Sequence, residues 1–163
     1  MVAPARLGDQ HLAAFIHAEG LDAELHYPGV PTPTVPDAAR AMGVSPGTII
    51  KSLLFVAGER PLLVIAAGEV RVGYRRLAQA LGVSRRRLRL ASPDETLAWS
   101  GFPVGAMPPF GHRRPLVTLV DSASVPRDGV VYGGGGTDHA LLRVSVEALF
   151  TTSCARYLPL SDG

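Results

Sequence analysis

Two apolar runs set end to end constrain this chain more than any other feature. They are "IIKSLLFVA", residues 49–57, and "RPLLVIAA", residues 60–67, with Gly58 and Glu59 between them. Each has the length of a strand, carries β-branched and aromatic residues, and reads as buried. The glycine between them makes the pair a hairpin. A buried hairpin needs a core around it, and 163 residues suffice for one domain over 1–163 with a real core. A hydrophobic content of 47% against 18% charged residues excludes disorder.

Inside the first run sits Lys51, the only lysine beside 15 arginines. It has two readings. An edge-strand lysine discourages aggregation. A compact, partly desolvated ammonium contacts a phosphate or a carbonyl as a point charge, for which the wide, flat guanidinium is no substitute. A chain this biased toward arginine is expected to use arginine wherever either would serve, and that favours a functional lysine.

The rest of the chain supplies alternating elements. Asp9 reads as the N-cap of a helix that presents Leu12, Phe15 and Ile16 on one face and stops at Gly20. "AELHY" is a short strand, and "PGVPTPTVP" is too rich in proline to be anything but a loop. Pro36 starts the helix "DAARAM", which Gly43 ends. "YRRLAQALG" is an amphipathic helix with Leu77 and Leu81 inward, and "RLRLA" is a strand. Ser92, Pro93 and Glu95 form a capping box. "PLVTLVD" is a strand ending at Asp121. "GVVYGGGGTDHALLRVS" reads as strand, glycine loop, strand, and Ser145 caps a last short helix. Hairpins mixed with helical crossovers predict an α/β fold with a mixed sheet and flanking helices, not a doubly wound one.

Several motifs resolve into plain structure. "GVSPG" (43–47) matches the nucleophile-elbow pattern, but a helix precedes it and a strand follows, the reverse of what that motif needs. "GGGG" (133–136) lacks the Lys-Ser/Thr of a phosphate-binding loop and joins two strands. Its four glycines exceed what a turn needs and point to a place where another molecule approaches the backbone. The five histidines show no ligand spacing, so no metal and no cofactor is expected. The lone Cys154 excludes an internal disulfide and fits a reducing compartment. No signal peptide and no apolar run of about 18 residues is visible, so a cytoplasmic location off the membrane is expected. Arg71, Arg75, Arg76, Arg85, Arg86, Arg87 and Arg89 crowd one window. They form either a solvated face or a phosphate-contacting patch. "GAMPPFG" (105–111) is a rigid loop, either a connection or a preorganised wall with N–H groups aimed into a pocket.

The order "TVPDAARAMGV", "IIKSLLF", "LASPDE", "GFPVGAMPPFG", "LVTLVD", the glycine run and "RVSVEAL" resembles the YbaK/EbsC family and the editing domains of prolyl-tRNA synthetases, over about residues 10–150. The resemblance implies a freestanding deacylase that hydrolyses the ester of mischarged tRNA, chiefly Cys-tRNA(Pro) or Ala-tRNA(Pro). It implies tRNA as partner, with prolyl-tRNA synthetase a second candidate. It places Lys51 on the family's key lysine, Gly105 and Pro109 on its G-x-x-x-P loop, and Asp121 on the aspartate closing a strand; these are the expected catalytic positions. Thr34, His26, Phe102, Met107, Gly111, Gly133, Gly134 and His139 are the expected substrate contacts. Arg75, Arg76, Arg85, Arg86 and Arg87 are the expected tRNA contacts. Ala106, Pro108 and Ser100 to Phe102 depart from the family pattern and touch the pocket wall, which bears on amino-acid preference. The chemistry suits these residues. An aminoacyl ester is already activated, so a positioned water and a stabilised oxyanion suffice, without a protein nucleophile. The resemblance adds that the terminal ribose hydroxyl helps place the water. Two rivals keep the same fold: a non-catalytic tRNA-binding module, and a small-molecule ester hydrolase.

Overall fold

A computed structural model describes residues 5–162. The hairpin is its centre. Strands β2 (Ile50–Ala57) and β3 (Arg60–Ala67) pair antiparallel along their whole length. They occupy the middle of a five-stranded sheet of order β5-β2-β3-β6-β9, completed by β5 (Leu88–Leu90), β6 (Val117–Asp121) and β9 (Arg156–Leu158). β6 runs parallel to β3 and β9 parallel to β6, so the sheet is mixed. A second sheet, order β1-β8-β7, contains β1 (Ala23–His26), β7 (Val130–Gly134) and β8 (Leu141–Ser145), all antiparallel. A parallel bridge from Ile49 to Tyr132 ties it to the start of β2. The short strands β4 (Arg71–Val72) and β10 (Ser161–Asp162) form a two-stranded ribbon.

The near-continuous apolar character of β2 and β3 has a cause in the packing, because both faces of the sheet are covered. Ile50, Leu54, Val56, Leu63, Ile65 and Ala67 turn to one core with Leu12, Phe102, Phe110, Leu142 and Leu149. Phe55, Leu62, Val64 and Ala66 turn to the other, beneath Leu77 and Ala78 of α3 (Tyr74–Leu81). Sequence and structure agree on α2 (Val35–Met42), ended by Gly43 in the left-handed conformation, and on α5 (Val146–Ser153), capped by Ser145; the N-cap of α2 is Thr34, which the sequence marked only as a substrate contact. The capping box of α4 (Pro93–Ser100) is complete, and Arg89 grips the same Glu95 with two bonds of 2.6 and 2.8 Å. Helix α1 (Asp9–Glu19) differs by one residue from the expected start. Its N-cap is Gly8, and Asp9 is the first helical residue, where its carboxylate accepts the Tyr27 hydroxyl at 2.6 Å. No helix among the described residues is long and apolar enough to cross a membrane.

Candidate active site

The strand β5 pairs only with Phe55–Ala57, so the first half of β2 keeps an open edge. A cleft of about 990 Å³ runs along that edge. Residues 50–54 form its floor, and Leu90 and Ala91 continue it. One side is the proline-rich loop before α2 together with Thr34, Val35 and Ala38 of the helix start. The other is Pro103–Met107, with Gly133, Gly134 and Gly136–Leu141 behind it. Most lining side chains are apolar, as a site that recognises a small molecule through a few polar groups should be.

Lys51 lines this cleft, half-buried. Its Nζ donates to the Val70 carbonyl. Burial pushes its pKa below the usual lysine value; the Arg71 charge pushes it the same way, and Glu69 pulls it back. It is therefore a cation that burial and Arg71 make easier to deprotonate than a free lysine.

The loop 103–112 is a bridge between two parts of the fold. Its first half lies directly on the glycine run. A Cβ on Gly134 would stand 2.4 Å from the Met107 carbonyl oxygen, and Gly136 N–H donates to the Ala106 carbonyl at 2.9 Å. The four glycines thus admit the chain's own backbone and the side chain of Ile50, which a Cβ on Gly133 would meet at 2.8 Å. The chain's own packing therefore accounts for the glycines, and Gly133, Gly134 and Gly136 also line the cleft. The second half docks on α1: Phe110 stacks on Phe15 at 5.6 Å, and His11 Nε2 meets the Gly111 carbonyl at 3.1 Å. Ala106 N–H is used within the loop, donating to Pro103 at 3.2 Å. The N–H groups of Gly105 and Met107 make no hydrogen bond among the described residues, and both residues line the cleft.

The expected site residues divide accordingly. Lys51, Thr34, Gly105, Met107, Gly133, Gly134 and His139 gather on the cleft. Thr34 is also a structural cap: its hydroxyl accepts Asp37 N–H and donates to the Asp37 carboxylate at 2.7 Å. His139 pairs through Nδ1 with Asp138 at 2.8 Å. Pro109 and Gly111 do not line the cleft, because the chain turns toward α1 after Met107. Phe102 is fully buried in the core and is no part of the wall. His26 bonds Glu24 on β1, away from the cleft lining.

Asp121 is corrected as well. It is wholly enclosed and lies off the cleft. It accepts the N–H groups of Leu160 (2.8 Å), Ser161 (3.1 Å) and Ala123 (3.2 Å) and the Ser124 hydroxyl (2.6 Å). Burial alone would push its carboxyl up, but these donors outweigh burial and leave it below the usual value. Its work is to tie the C-terminal segment to β6.

The arginine window lies outside the cleft and is exposed, on β4, α3, the turn Arg85–Arg87 and β5. Arg85 stacks over Tyr74 at 4.3 Å and donates to the Leu88 carbonyl. Arg76 stands 3.8 Å from Asp162. Arg75, Arg86 and Arg87 have no carboxylate within ion-pair distance among the described residues. No group of three potential metal ligands gathers among the described residues.

One feature of the cleft lining, the main chain of Ser52, was not marked from sequence. The Leu54 carbonyl accepts Ala91 N–H on the outer side of β2. Alternation along an antiparallel strand then turns the N–H and C=O of Ser52 the same way, into the cleft. Only the early end of β5 could have signalled it.

The cleft is mostly apolar, walled by a Gly/Pro loop, and carries the Lys51 ammonium together with two lining residues, Gly105 and Met107, whose N–H groups have no partner among the described residues. Residues 30–152 match the family model of the aminoacyl-tRNA editing domain, and the chain belongs to that family. It is 32% identical over 120 residues to a proline–tRNA ligase of Nitratidesulfovibrio vulgaris strain DP4, covering 72% of this chain and 21% of the ligase. The chain thus spans about a fifth of that ligase's length. It is 31% identical over 117 residues to the uncharacterized protein YwhH of Bacillus subtilis strain 168, covering 71% and 72% of the two chains. Among solved structures it resembles the hypothetical protein APE2540 (TM-score 0.83, 31% identity, 93% and 99% coverage). It also resembles a candidate trans-editing enzyme for prolyl tRNA synthetase (TM-score 0.81, 28% identity, 95% and 97% coverage).

Proposed function

We propose that this chain is a deacylase that hydrolyses the ester of mischarged tRNA, with Cys-tRNA(Pro) or Ala-tRNA(Pro) as substrate. The observation that carries the reading is the single lysine, half-buried, on the same cleft as the unpartnered N–H groups of Gly105 and Met107. Water adds to the ester carbonyl carbon, and those N–H groups take the oxyanion. The C–O bond to the ribose then breaks, releasing a free amino acid and a tRNA hydroxyl. Lys51 holds the terminal phosphate or the substrate, and Ser52 offers its main-chain groups to the amino acid. His139 stands at the rim as a further substrate contact. The apolar walls near Val104 and Met107 admit a small side chain and exclude a larger one, a discrimination of about 1–3 kcal/mol per methylene. Arg75, Arg86 and Arg87 face the acceptor-stem phosphates, with Arg76 and Arg85 beside them, and prolyl-tRNA synthetase is a candidate source of the tRNA.

The test is deacylation of Cys-tRNA(Pro), Ala-tRNA(Pro) and Pro-tRNA(Pro) by the wild type and by Lys51→Ala. Hydrolysis of a mischarged species that drops at least 100-fold in the variant supports the reading. Tight tRNA binding without turnover by either protein would replace it with a binding module. Turnover of free aminoacyl esters at the same rate as of tRNA esters would replace it with a general esterase.

A further inference from the structure

The loop that carries Gly105 and Met107 has little of its own to hold it. Pro103, Pro108 and Pro109 have no N–H to donate. The one backbone bond inside the loop is Ala106 to Pro103. The Gly136 N–H, which donates to the Ala106 carbonyl, and two side chains supply the rest. His112 Nε2 lies 2.7 Å from the Pro108 carbonyl oxygen, across the chord of the loop. A carbonyl only accepts, so the proton is on Nε2. Burial pushes this imidazole down to about 4, so at neutral pH it is uncharged and carries that single N–H. The ring stands edge-on to Phe102 at 6.2 Å, and His11 tilts against the same Phe102 at 6.1 Å while meeting Gly111. Two imidazoles around one buried phenyl ring therefore hold two carbonyls of the loop, those of Pro108 and Gly111.

We propose that His112 is a positioning residue. Its bond to the Pro108 carbonyl, supported by His11 at Gly111, sets where the Gly105 and Met107 N–H groups point. It touches no substrate, since it does not line the cleft. Its kinetic consequence rests on the deacylase reading above; its structural consequence does not. A transition-state donor displaced by a fraction of an ångström costs rate more than ground-state binding.

The experiment compares His112→Phe, which keeps a ring and loses the donor, with His112→Gln, which keeps an N–H near the same place. One readout is amide hydrogen exchange at Ala106 and Gly136, whose N–H groups bond the Pro103 and Ala106 carbonyls. It needs no substrate. The other is the split between kcat and KM in deacylation. For His112→Phe we expect exchange about tenfold faster at both amides, and kcat about tenfold lower with KM within twofold. His112→Gln should recover most of both. Unchanged exchange in His112→Phe would overturn the proposal, as would equal impairment of the Phe and Gln variants, which would make His112 a space-filler. If His112→Phe fails to fold, the exposed His11→Leu replaces it, with a smaller shift expected in the same direction and unchanged exchange again overturning the idea. A wild type inactive on every tRNA ester would remove the deacylase reading, while the exchange result would still decide the positioning role.

Discussion

Lys51 and Asp121 stand on strands of the same sheet, and a motif reading treats them alike, but their surroundings give them opposite work. Lys51 is only half-buried, and its ammonium is made easier to deprotonate by burial and by Arg71. If the cation is the working form, kcat/KM falls as the pH rises through a pKa lower than that of an ordinary lysine. That alkaline limb should be present in the wild type, after subtracting spontaneous ester hydrolysis, and absent in Lys51→Ala. Lys51→Arg should not restore activity, since a guanidinium fills a different volume and hydrogen-bonds in a fixed fork. Asp121, by contrast, spends both oxygens on four donors in a closed site. Asp121→Asn places an amide against some of those donors. It should cost about 2–3 kcal/mol in denaturant unfolding while the kcat of the remaining folded enzyme stays within twofold. A kcat loss without a stability loss would return Asp121 to the chemistry.

At the scale of elements, the site is a junction between two irregular segments. The Ala106–Met107 backbone lies so close to Gly134 that no side chain fits between them. Gly134→Ala forces a methyl onto the Met107 carbonyl, and both partners are backbone, so nothing flexible can yield. It should destabilise by about 1–3 kcal/mol and lower kcat at least tenfold. Thermal melting and single-turnover deacylation read the two effects separately. Gly58→Ala is a useful contrast. There the neighbour is the Arg87 side chain, which can swing away, so the cost is confined to the positive φ of 67° and the cleft should be unaffected.

At the scale of the whole molecule, the proposed substrate cleft and the proposed tRNA surface lie on different parts of the sheet. The cleft opens on the free edge of β2, and the arginines lie on the elements that cover the other face and lead into β5. Replacing Arg75, Arg86 and Arg87 by Ala should weaken tRNA binding and flatten the dependence of log K on log salt by about 2–3, roughly one for each phosphate left without its arginine. Hydrolysis of a minimal aminoacyl-nucleoside ester should be unchanged. An unaltered salt slope would leave the arginines as a solvated surface. Global stability has its own acid limb. The buried His112 imidazole titrates near 4 in the folded protein and near 6.5 in an unfolded chain, so between those values the unfolded state binds the extra proton. Stability therefore falls on acidification through that window, by up to about 1.4 kcal/mol per pH unit from this one group. Chemical unfolding at several pH values should show a shallower decline in His112→Phe.

Local chemistry determined much of this protein from its sequence. The hairpin, the caps at Thr34, Ser92 and Ser145, and the stops at Gly20 and Gly43 all depend on residues within a few positions of one another. So does the marking of Lys51, whose singularity needs only composition to be seen. Tertiary structure decided what depends on distant partners. The short strands β4, β9 and β10 exist because neighbours pair with them, and two or three residues carry no period of their own. Gly134 serves loop packing because residues 106 and 107 arrive there, about 27 positions away in sequence, and Gly133 because the Ile50 side chain does. Phe102 became core, and Pro109 and Gly111 left the wall, because α1 draws the second half of the loop away. His112, unremarkable as one histidine at a segment edge, acquired its place only when folding closed water out around it and set a carbonyl at hydrogen-bonding distance. Propensity and pattern act along the chain, whereas burial and the direction of a donor are set across it.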